Sequence, residues 1–548
     1  MSKTRRKFIF VTGGVMSGVG KGVTTASIGA LLRARGLRVT AVKIDPYVNV
    51  DPGTMNPVEH GEVFVTADGQ ESDQDLGNYE RFFDTDLGRE NYMTTGSVYL
   101  SVIERERSMG YGGKTVEVVP HIPLEVISRI TAAADRANAD VTLIEVGGTV
   151  GEYQNILFLE ACRMMRLDRP NDVLAILVSY LPVPGTLGEM KTKPTQYACR
   201  SLNSVGLQPD MIICRSTHLL DESRKRKLSM NCNVSPEDVI SAPDAPSIYN
   251  VPIRLHEERV GERICKKLGI KTKGERMKPW EDLLATSSKQ AKQVRIGIVG
   301  KYFSTGDFTL SDAYLSVIEA VKHAAWAVGR KPEISWLNSE AYEQSPAQMK
   351  RELAQLDGIL IPGGFGSRGV EGKIRAIQYA REKKIPFLGI CYGLQLAVIE
   401  YTRHVLGYAH AHTTEIAPKT PNPVIHLMNE QEERMKNHDY GGTMRLGNYP
   451  CVLAPHSIAQ RLYGGAALIQ ERHRHRFEVN PEYVPRLMEK GLRFSGQSPD
   501  GTLAEIIELP KHPFFVASQF HPEFTSRPFS PNPLFLGFVK AASGKRKH

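Results

Sequence analysis

Short apolar runs alternate with amphipathic stretches through the first half of the chain. We predict buried strands at residues 8–11, 39–44, 141–146, 173–180 and 211–214. We predict helices between them, among others at residues 23–35, 124–138 and 154–166. Strands that alternate with helices in this way indicate an α/β fold, in which helices cover both faces of a parallel sheet.

The alternation fails near the middle of the chain and then resumes. Residues 271–293 are mostly polar, and a new apolar run begins at Val294. Because 548 residues are too many for one hydrophobic core, we expect two doubly wound α/β domains. The expected division is a first domain at 1–270, a linker at 271–293, a second domain at 294–542 and a basic tail at 543–548.

The composition narrows the classes of partner. Hydrophobic residues make up 41% of the chain and charged residues 24%, which is ordinary for a globular protein in water. The net charge of +9 is spread over short basic runs without interleaved aromatic residues, so we expect anionic small molecules and no nucleic acid. The longest apolar run, 173–183, is shorter than the roughly 20 residues that span a bilayer, so no membrane is expected. Seven cysteines without paired spacing favour a reducing cytoplasm.

One thiol stands where a buried strand is expected to meet a helix. Cys391 lies in an apolar run that ends in Gly-x-Cys-x-Gly, and the glycines permit a tight turn that presents the thiol. Further along the chain, His521 and Glu523 are a base and an acid two positions apart. These residue types form a nucleophile, a base and an acid that orients the base. The pattern predicts a Cys-His-Glu triad for acyl transfer.

The competing interpretation is that Cys391 is a small core residue, as most cysteines in apolar runs are. A second glycine-rich turn weakens that interpretation, because Gly363 and Gly364 follow another predicted strand upstream of the thiol. Backbone N–H groups at such a turn can stabilise the negative oxygen that forms during acyl transfer. We therefore predict an oxyanion hole there.

The first predicted strand runs into a glycine-rich loop and then a helix. Such a loop turns its backbone N–H groups toward an anion, and the helix N-terminus adds its dipole. The loop departs from the standard nucleotide-binding pattern because Gly22 stands where a hydroxyl residue would hold the metal ion. The alternative is a glycine-rich turn with no ligand. The predicted phosphate-binding residues are Ser17, Gly18, Val19, Gly20, Lys21, Gly22 and Val23.

Two acidic residues are candidates to hold Mg²⁺ in place of the missing hydroxyl. Glu145 ends an apolar strand, where a charge is costly unless it is paired, and a metal ion is one such partner. Asp75 lies in an acidic stretch that would otherwise be read as a solvated loop.

A second basic segment follows the strand predicted at residues 173–180. It offers cations, hydroxyls and an amide at the start of a helix, which suits a phosphate. Lys227 belongs to a later basic run, and each feature read alone is more often surface charge. The segment consists of Lys191, Thr192, Lys193, Pro194, Thr195 and Gln196.

Longer motifs give the chain a specific resemblance. Residues from about 294 to 540 resemble the class I glutamine amidotransferase domain, in which a cysteine attacks the side-chain amide of glutamine and releases ammonia. Residues 45–57, 60–65, 191–196 and 389–393 together are similar to the CTP synthase family, and this likeness runs from about residue 7 to 540.

The resemblance implies an architecture and a reaction. An N-terminal P-loop NTPase-like sheet would bind ATP, Mg²⁺ and UTP, and a C-terminal amidotransferase domain would bind L-glutamine. UTP would be phosphorylated at O4 by ATP, and ammonia carried through an interior channel would then displace the phosphate to give CTP. The loop 366–372 resembles the segment tied to allosteric activation by GTP. The family typically forms homotetramers, with filaments as a further assembly, and CTP inhibits as product.

The resemblance also implies roles for individual residues. The catalytic residues would be Cys391, His521 and Glu523, with the oxyanion hole at Gly363 and Gly364. ATP would contact residues 17–23 and Asp75, and Mg²⁺ would be bound by Asp75 and Glu145. UTP would contact Ser17, Lys191, Thr192, Lys193, Pro194, Thr195, Gln196 and Lys227. Glutamine would contact Gly364, Tyr392, Gly393, Leu394, Gln395, Glu415 and Arg476.

Two positions depart from the family pattern. The chain has Glu117 where the family usually has Gln, and a carboxylate there would repel a triphosphate unless it is protonated or turned away. It also has Glu152, Tyr153 and Gln154 where the family usually has Asp-Ile-Glu, a run that reads the pyrimidine in product inhibition. The departures put sensitivity to CTP in question and leave the catalytic motifs intact.

Two other interpretations remain open at the level of sequence. One is another fused amidotransferase, such as a cobyrinate diamide synthase, whose acceptor is a carboxylate; residues 45–57 and 191–196 argue against it. The other is a filament-forming or regulatory protein without turnover, against which the triad and Lys21 argue.

Overall fold

A computed structural model describes residues 6–53, 55, 61–185, 188–288, 291–301, 304–305, 308–309, 311–427 and 444–544. These residues fall into two compact units. The first unit takes the residues up to Pro52 together with Asp75–Ala285, and the second takes Gly53–Gln74 and the residues from Thr286 onward.

The strands and helices are numbered in chain order. The strands are β1 (Lys7–Gly13), β2 (Val39–Asp45), β3 (Val63–Val65), β4 (Glu71–Asp73), β5 (Tyr92–Thr94), β6 (Val141–Val146), β7 (Val173–Tyr180), β8 (Met211–Ser216), β9 (Val239–Pro243), β10 (Gln293–Gly300), β11 (Ser304–Thr305), β12 (Phe308–Thr309), β13 (Lys331–Asn338), β14 (Gly358–Ile361), β15 (Phe387–Ile390), β16 (Ala411–Thr413), β17 (Asn422–Leu427), β18 (Arg445–Leu453), β19 (Leu468–His475), β20 (Phe477–Val479), β21 (Arg493–Gln497), β22 (Ala504–Glu508) and β23 (Phe515–Ser518).

The helices are α1 (Lys21–Ala34), α2 (Gln74–Phe83), α3 (Thr95–Arg107), α4 (Val118–Arg136), α5 (Ile156–Asp168), α6 (Lys193–Ser204), α7 (Glu222–Cys232), α8 (Val251–Glu257), α9 (Val260–Lys267), α10 (Lys278–Ser288), α11 (Leu315–Ala327), α12 (Ser339–Gln344), α13 (Pro346–Leu353), α14 (Val370–Glu382), α15 (Tyr392–His404), α16 (Ile458–Leu462), α17 (Val484–Glu489) and α18 (Pro533–Ala542).

The first unit contains a parallel sheet, as its near-continuous apolar strands predicted. Within its described residues, seven strands run in the order β5-β2-β6-β1-β7-β8-β9, and every pairing is parallel. Strands β2 and β6 are buried along their whole length, which explains their lack of polar–apolar alternation. The glycine-rich loop follows β1, and Glu145 lies near the carboxyl end of the neighbouring β6. The predicted α/β fold is confirmed for this unit.

The second unit contains a mixed sheet. Among its described residues, nine strands run in the order β13-β10-β14-β15-β23-β22-β21-β18-β19. The first five are parallel, and the remaining four pair antiparallel. The antiparallel part extends the sheet beyond the doubly wound core that the sequence predicted. Cys391 stands between β15 in the parallel part and the helix α15.

The boundary between the units differs from the predicted one. Helix α10 occupies much of the stretch that was expected to be a linker, and the residues up to Ala285 belong to the first unit. The hairpin β3–β4 lies in the N-terminal half of the sequence but belongs to the second unit. Its strands are only three residues long, so the pattern of apolar positions gave no indication of where they pack. The end of the predicted basic tail, residues 545–548, lies outside the described residues.

Two further observations concern the chain as a whole. No helix among the described residues is both long enough and apolar enough to cross a membrane. All seven cysteines are free and buried.

Candidate active site

Cys391 lies at a strained turn between β15 and α15 in the second unit. Its φ of 51° and ψ of −100° are unfavourable for any residue with a side chain, so the surrounding packing must hold it there. Gly393 permits this packing, because a Cβ at that position would lie 2.3 Å from the carbonyl oxygen of Ile361. The turn therefore presents the thiol at the carboxyl edge of the parallel strands.

The structure brings His521 and Glu523 together next to this thiol. Nδ1 of His521 lies 2.7 Å from Oε1 of Glu523, and both side chains are buried. The imidazole also stacks on Phe524, with ring centroids 5.0 Å apart. Burial lowers the pKa of His521, but the carboxylate of Glu523 and the sulfur of Cys391 outweigh burial and raise that pKa to about 10. An imidazole with this pKa is protonated at neutral pH and places a positive charge beside the sulfur of Cys391.

A cavity of about 360 Å³ opens onto the triad. Its volume is in the range of small-molecule sites. Predicted site residues make up much of its lining: Gly363, Gly364, Cys391, Gln395, Glu415, Arg476, His521 and Glu523. Residues that the sequence did not single out complete it: Gly53, Met55, Glu62, Val63, Ala313, Tyr314, Val317, Phe365, Met444, Arg474, His475, Phe477 and Phe524.

Polar groups at two places in the cavity wall are held by backbone contacts. Gln395 Nε2 donates to the carbonyl oxygen of Phe477 at 2.8 Å. Glu415 Oε1 accepts from the backbone N–H of Gly366 at 2.8 Å, and burial raises the pKa of Glu415. These contacts hold both side chains in place in the cavity wall.

Three of the predicted glutamine contacts lie elsewhere. Tyr392, Gly393 and Leu394 form the first turn of α15 and are not among the residues that line the cavity in the described part of the chain. The side chain of Leu394 is fully buried in the hydrophobic core. A motif that surrounds a nucleophile therefore includes residues that support the turn, and sequence alone does not separate these from residues that face the ligand.

The hairpin β3–β4 supplies part of the same cavity wall. Oε1 of Glu62 accepts from the backbone N–H of Ser316 at 3.0 Å, and Oε1 of Glu71 accepts from Nε of Arg474 at 2.8 Å. The ring of Phe64 meets Phe524 edge to face at 5.1 Å. No local pattern indicates that these residues belong to the thiol site, because they lie more than 300 positions from Cys391 along the chain.

The first unit holds the glycine-rich loop at the N-terminus of α1. Lys21 is buried and donates to the carbonyl oxygen of Gly148 at 3.0 Å. Burial lowers its pKa, against the attraction of nearby carboxylates. Ser17 and Gly18 are exposed at the tip of the loop, while Val19 is buried beneath it. This strand, loop and helix have the arrangement expected of a phosphate site.

The two predicted metal-binding acids of the first unit are also brought together. The ammonium of Lys43 is hydrogen-bonded to Asp75 and lies 3.1 Å from Oε1 of Glu145. Burial raises the pKa of Asp75, but the Lys43 charge outweighs burial and lowers it; burial and the charge on Asp75 raise the pKa of Glu145. Asp45 is a third carboxylate, 3.7 Å from the same ammonium.

Lys43 and Asp45 were missed at the level of sequence. The signal was available, because a lysine inside an apolar strand is as costly as Glu145 unless it has a partner. The structure also explains why residue 22 is a glycine: a Cβ at Gly22 would lie 1.8 Å from Oδ1 of Asp75. The glycine that replaces a hydroxyl in the loop therefore makes room for the carboxylate.

These oxygens fit a magnesium ion that is bound jointly by protein and phosphates. Mg²⁺ commonly takes one or two carboxylates, with phosphate oxygens and water completing its shell. Asp75 and Glu145 both contact one cationic nitrogen, so their oxygens already converge on a positive charge. No cluster of three or more His, Cys, Asp or Glu side chains suited to a metal occurs within the described ranges.

The predicted UTP segment begins helix α6 in the first unit. Thr192 and Thr195 are buried, and Gln196 Nε2 donates to Thr192 Oγ1 at 3.2 Å. Lys191 is paired with Glu189 at 2.7 Å. The segment is therefore internally ordered, with a cation at its start.

Lys227 was grouped with this segment but lies on the exposed face of α7. No hydrogen bond or ion pair joins its ammonium to residues 191–196 in the part of the chain that the structure describes. Another residue of α7, Arg224, contacts the residue just before the segment: its Nε donates to the carbonyl oxygen of Met190 at 3.0 Å.

The residues that depart from the family pattern also have defined surroundings. Glu117 is exposed at the start of α4, and its backbone N–H donates to Nδ1 of His121 at 3.0 Å. Glu152 turns back onto its own loop, where Oε1 accepts from the backbone N–H of Thr149 at 2.9 Å. Tyr153 is 93% exposed.

Comparison with known proteins matches both parts of the sequence to known families. Residues 7–270 match the family described as CTP synthase N-terminus, and residues 309–541 match glutamine amidotransferase class-I. A CTP synthase of Methanopyrus kandleri is 50% identical over 540 residues, which cover 98% of this chain and 99% of the relative. A CTP synthase of Pelotomaculum thermopropionicum is 51% identical over 538 residues, which cover 98% of each. Among solved structures, the glutaminase domain of Trypanosoma brucei CTPS is 37% identical with a TM-score of 0.43, covering 46% of this chain and 96% of that domain.

Proposed function

The chain belongs to the CTP synthase family, and on that premise we propose roles for the residues of its two sites. The protein is a glutamine-hydrolysing ligase that uses ATP to aminate UTP to CTP. The family membership removes the alternative of a carboxylate acceptor. We assign glutamine hydrolysis to the second unit and the nucleotide chemistry to the first.

Cys391 is the nucleophile of glutamine hydrolysis. Its sulfur attacks the side-chain amide carbon, and His521 gives the proton that lets ammonia leave. Gly363 and Gly364 stabilise the negative oxygen of the tetrahedral intermediate, and water then releases glutamate from the thioester. Glu523 holds the imidazole in position. The observation that carries this proposal is the 2.7 Å contact between His521 and Glu523 beside a thiol held at a strained turn.

The opposite charges in the cavity wall fit the two ends of free glutamine. Arg476 is placed to bind the α-carboxylate, and Glu415 the α-ammonium group. The charges of these two residues already interact across the cavity wall. Gln395 supports the wall through its contact with Phe477 and does not need to touch the ligand.

The first unit phosphorylates UTP. Residues 17–23 surround the ATP phosphates, and Lys21 neutralises charge that builds up during transfer. Asp75 and Glu145 would hold Mg²⁺, which would supply positive charge to the phosphates when it is bound. Residues 191–196 and Lys227 bind UTP, and Arg224 supports the start of the segment through its bond to Met190. Phosphorylation of uracil O4 turns a poor leaving group into a good one, so that neutral ammonia can displace phosphate at C4.

Regulation and assembly follow the family pattern in our proposal. GTP activates through the loop 366–372, CTP inhibits as product, and the enzyme assembles as a homotetramer and as filaments in the cytoplasm. Seven free cysteines support a reducing compartment. The carboxylate of Glu152 is engaged by its own loop, so we expect CTP inhibition to be altered relative to the family pattern.

The division of labour is tested by supplying nitrogen in two forms. We expect Cys391→Ala to abolish CTP formation from glutamine while CTP formation from ammonium chloride persists. Cys451→Ala is the matched control, because Cys451 is a buried free cysteine of the same unit; it should retain both activities. Loss of the ammonium-driven reaction in Cys391→Ala alone would contradict the assignment.

A further inference from the structure

A cluster of buried ionisable side chains adjoins the glutamine cavity and has no part in the mechanism above. Its members, called here the buried ring, are Arg445, His473, His475, Glu478 and Glu505. They come from β18, β19, β20 and β22, and none is more than 7% exposed. Only His475 also lines the cavity within the described part of the chain.

The members of the buried ring face one another in a closed circuit. Arg445 donates to Glu478 at 3.1 Å and to Glu505 at 2.7 Å. Nδ1 of His473 lies 2.9 Å from Nε2 of His475. The outer nitrogens of the two imidazoles face the carboxyls at distances longer than a hydrogen bond: Nδ1 of His475 lies 3.5 Å from Glu478, and Nε2 of His473 lies 3.6 Å from Glu505. Neither of these buried nitrogens has a hydrogen-bond partner among the described residues, so these carboxyls are the groups placed to satisfy them.

Counting hydrogens shows what this circuit requires. The guanidinium supplies the hydrogens of its own two contacts. Three contacts remain, one between the imidazoles and one from each imidazole to a carboxyl, and each needs one hydrogen to be attractive. Two neutral imidazoles carry one such hydrogen each, so a third must be bound. With that third proton the ring is electrically neutral; without it, one guanidinium faces two carboxylates, and an uncompensated buried charge is costly.

We propose that the buried ring binds one shared proton and that the neutral, closed ring positions β19 for glutamine binding. Strand β19 ends at His475, and Arg474, His475 and Arg476 follow one another along the cavity wall. The members of the buried ring are positioning residues, because the ring acts on glutamine only through the cavity wall that it holds. The inference rests on the glutaminase role proposed above.

Burial locates the shared proton on a carboxyl group. Burial raises the pKa of Glu478 to about 8, although the charge of Arg445 opposes the rise. Burial also holds the pKa of His473 and of His475 well below its usual range. The imidazoles are therefore neutral relays, and Glu478 is the principal holder of the proton.

Other charged groups act on the ring from the elements around it. The charge on Glu505 raises the pKa of Glu478, and Asp500 raises that of Glu505 after burial. The positive charge of His521 lowers the pKa of both ring histidines. Each of these influences favours a proton on a carboxyl over one on an imidazole.

The proposal predicts a pH-dependent affinity. As pH rises past about 8 the shared proton is lost, one carboxylate then faces a nitrogen lone pair, and the cavity wall loosens. The KM for glutamine should rise over this range while kcat changes less. The α-ammonium group of glutamine also titrates there, but equally in every variant, so only differences between variants are informative.

Glutamine can replace a protonated glutamate because its amide carries the hydrogen that the circuit requires. In Glu478→Gln the amide donates to His475, and in Glu505→Gln it donates to His473 with both imidazole tautomers reversed. We expect each single variant to keep the KM for glutamine within about threefold at pH 7.5 and to lose the alkaline rise. The double variant leaves Arg445 without a counter-charge and should raise KM about tenfold or more, which is far from additive.

Two controls separate this effect from general damage. Glu400→Gln alters another fully buried acid of the same unit, which is paired with Arg381 at 2.8 Å, and should keep the alkaline rise of the unaltered enzyme. CTP formation from ammonium chloride reports folding independently of glutamine. Glutamine hydrolysis by the unaltered enzyme tests the proposed function itself.

Three results would overturn the shared proton. A single variant whose KM at pH 7.5 matches the double variant, or which loses ammonium-driven activity, would show that both carboxyls are ionised. An alkaline rise that persists in both single variants would show that the ring does not titrate. A double variant that behaves like the singles would show that the ring does not position β19.

Discussion

Both units bury carboxylates near strand ends, but they compensate the charge in different ways. In the first unit, the ammonium of Lys43 lies against Asp75 and Glu145. In the second, Glu478 and Glu505 share Arg445 and, in our proposal, one proton. A flexible ammonium can move away when a divalent cation arrives, whereas a rigid guanidinium within a closed circuit cannot. In our proposal, the difference separates a site where Mg²⁺ takes the place of the ammonium from a framework that keeps its own cation.

Removing the phosphate-binding lysine should have the largest effect. We expect Lys21→Ala to lower CTP formation about a thousandfold with either nitrogen donor, because phosphoryl transfer depends on charge stabilisation at this position. Both donors are assayed with saturating UTP. Lys266→Ala, an exposed lysine of the same unit, is the control. A variant that lost only the glutamine-driven reaction would refute the phosphate role of Lys21.

Replacing Lys43 tests the proposal that its ammonium gives way to Mg²⁺ in the first unit. Lys43→Met leaves Asp75 and Glu145 without their shared cation, and we expect a loss of about 3 kcal/mol in the free energy of unfolding. Added Mg²⁺ should restore more stability to this variant than to the unaltered protein, as measured by urea denaturation with and without MgCl₂. Equal stabilisation of both proteins by Mg²⁺ would argue that the ion binds elsewhere.

Replacing Glu523, the carboxylate that orients His521, tests the thiol site. In Glu523→Gln the pKa of His521 should fall from about 10 toward its ordinary value, because the attraction of the carboxylate is lost. At pH 7.5 the imidazolium fraction of His521 then drops, and the sulfur of Cys391 loses the positive charge beside it. We expect alkylation of Cys391 by iodoacetamide and glutamine-driven turnover to slow about a hundredfold. Ammonium-driven turnover is the control and should not change.

The contrast between the two units also explains which features could be predicted from the sequence. The glycine-rich loop and the turn at Cys391 are local, so their glycines and reactive residues stand together in the chain and were found. The strands of the first unit were predicted for the same reason. The placement of Glu71 beside Arg474 and the closure of the ring from β18 to β22 depend on long-range packing. No local pattern records which buried carboxyl meets which arginine.

The transfer of nitrogen from one unit to the reaction of the other is tested most directly with an isotope. The enzyme is supplied with UTP, ATP, MgCl₂ and glutamine that carries ¹⁵N in its side-chain amide, and the CTP formed is analysed by mass spectrometry. We expect the label at the exocyclic amine of CTP. Unlabelled CTP, or no CTP from either glutamine or an ammonium salt, would contradict the proposed function.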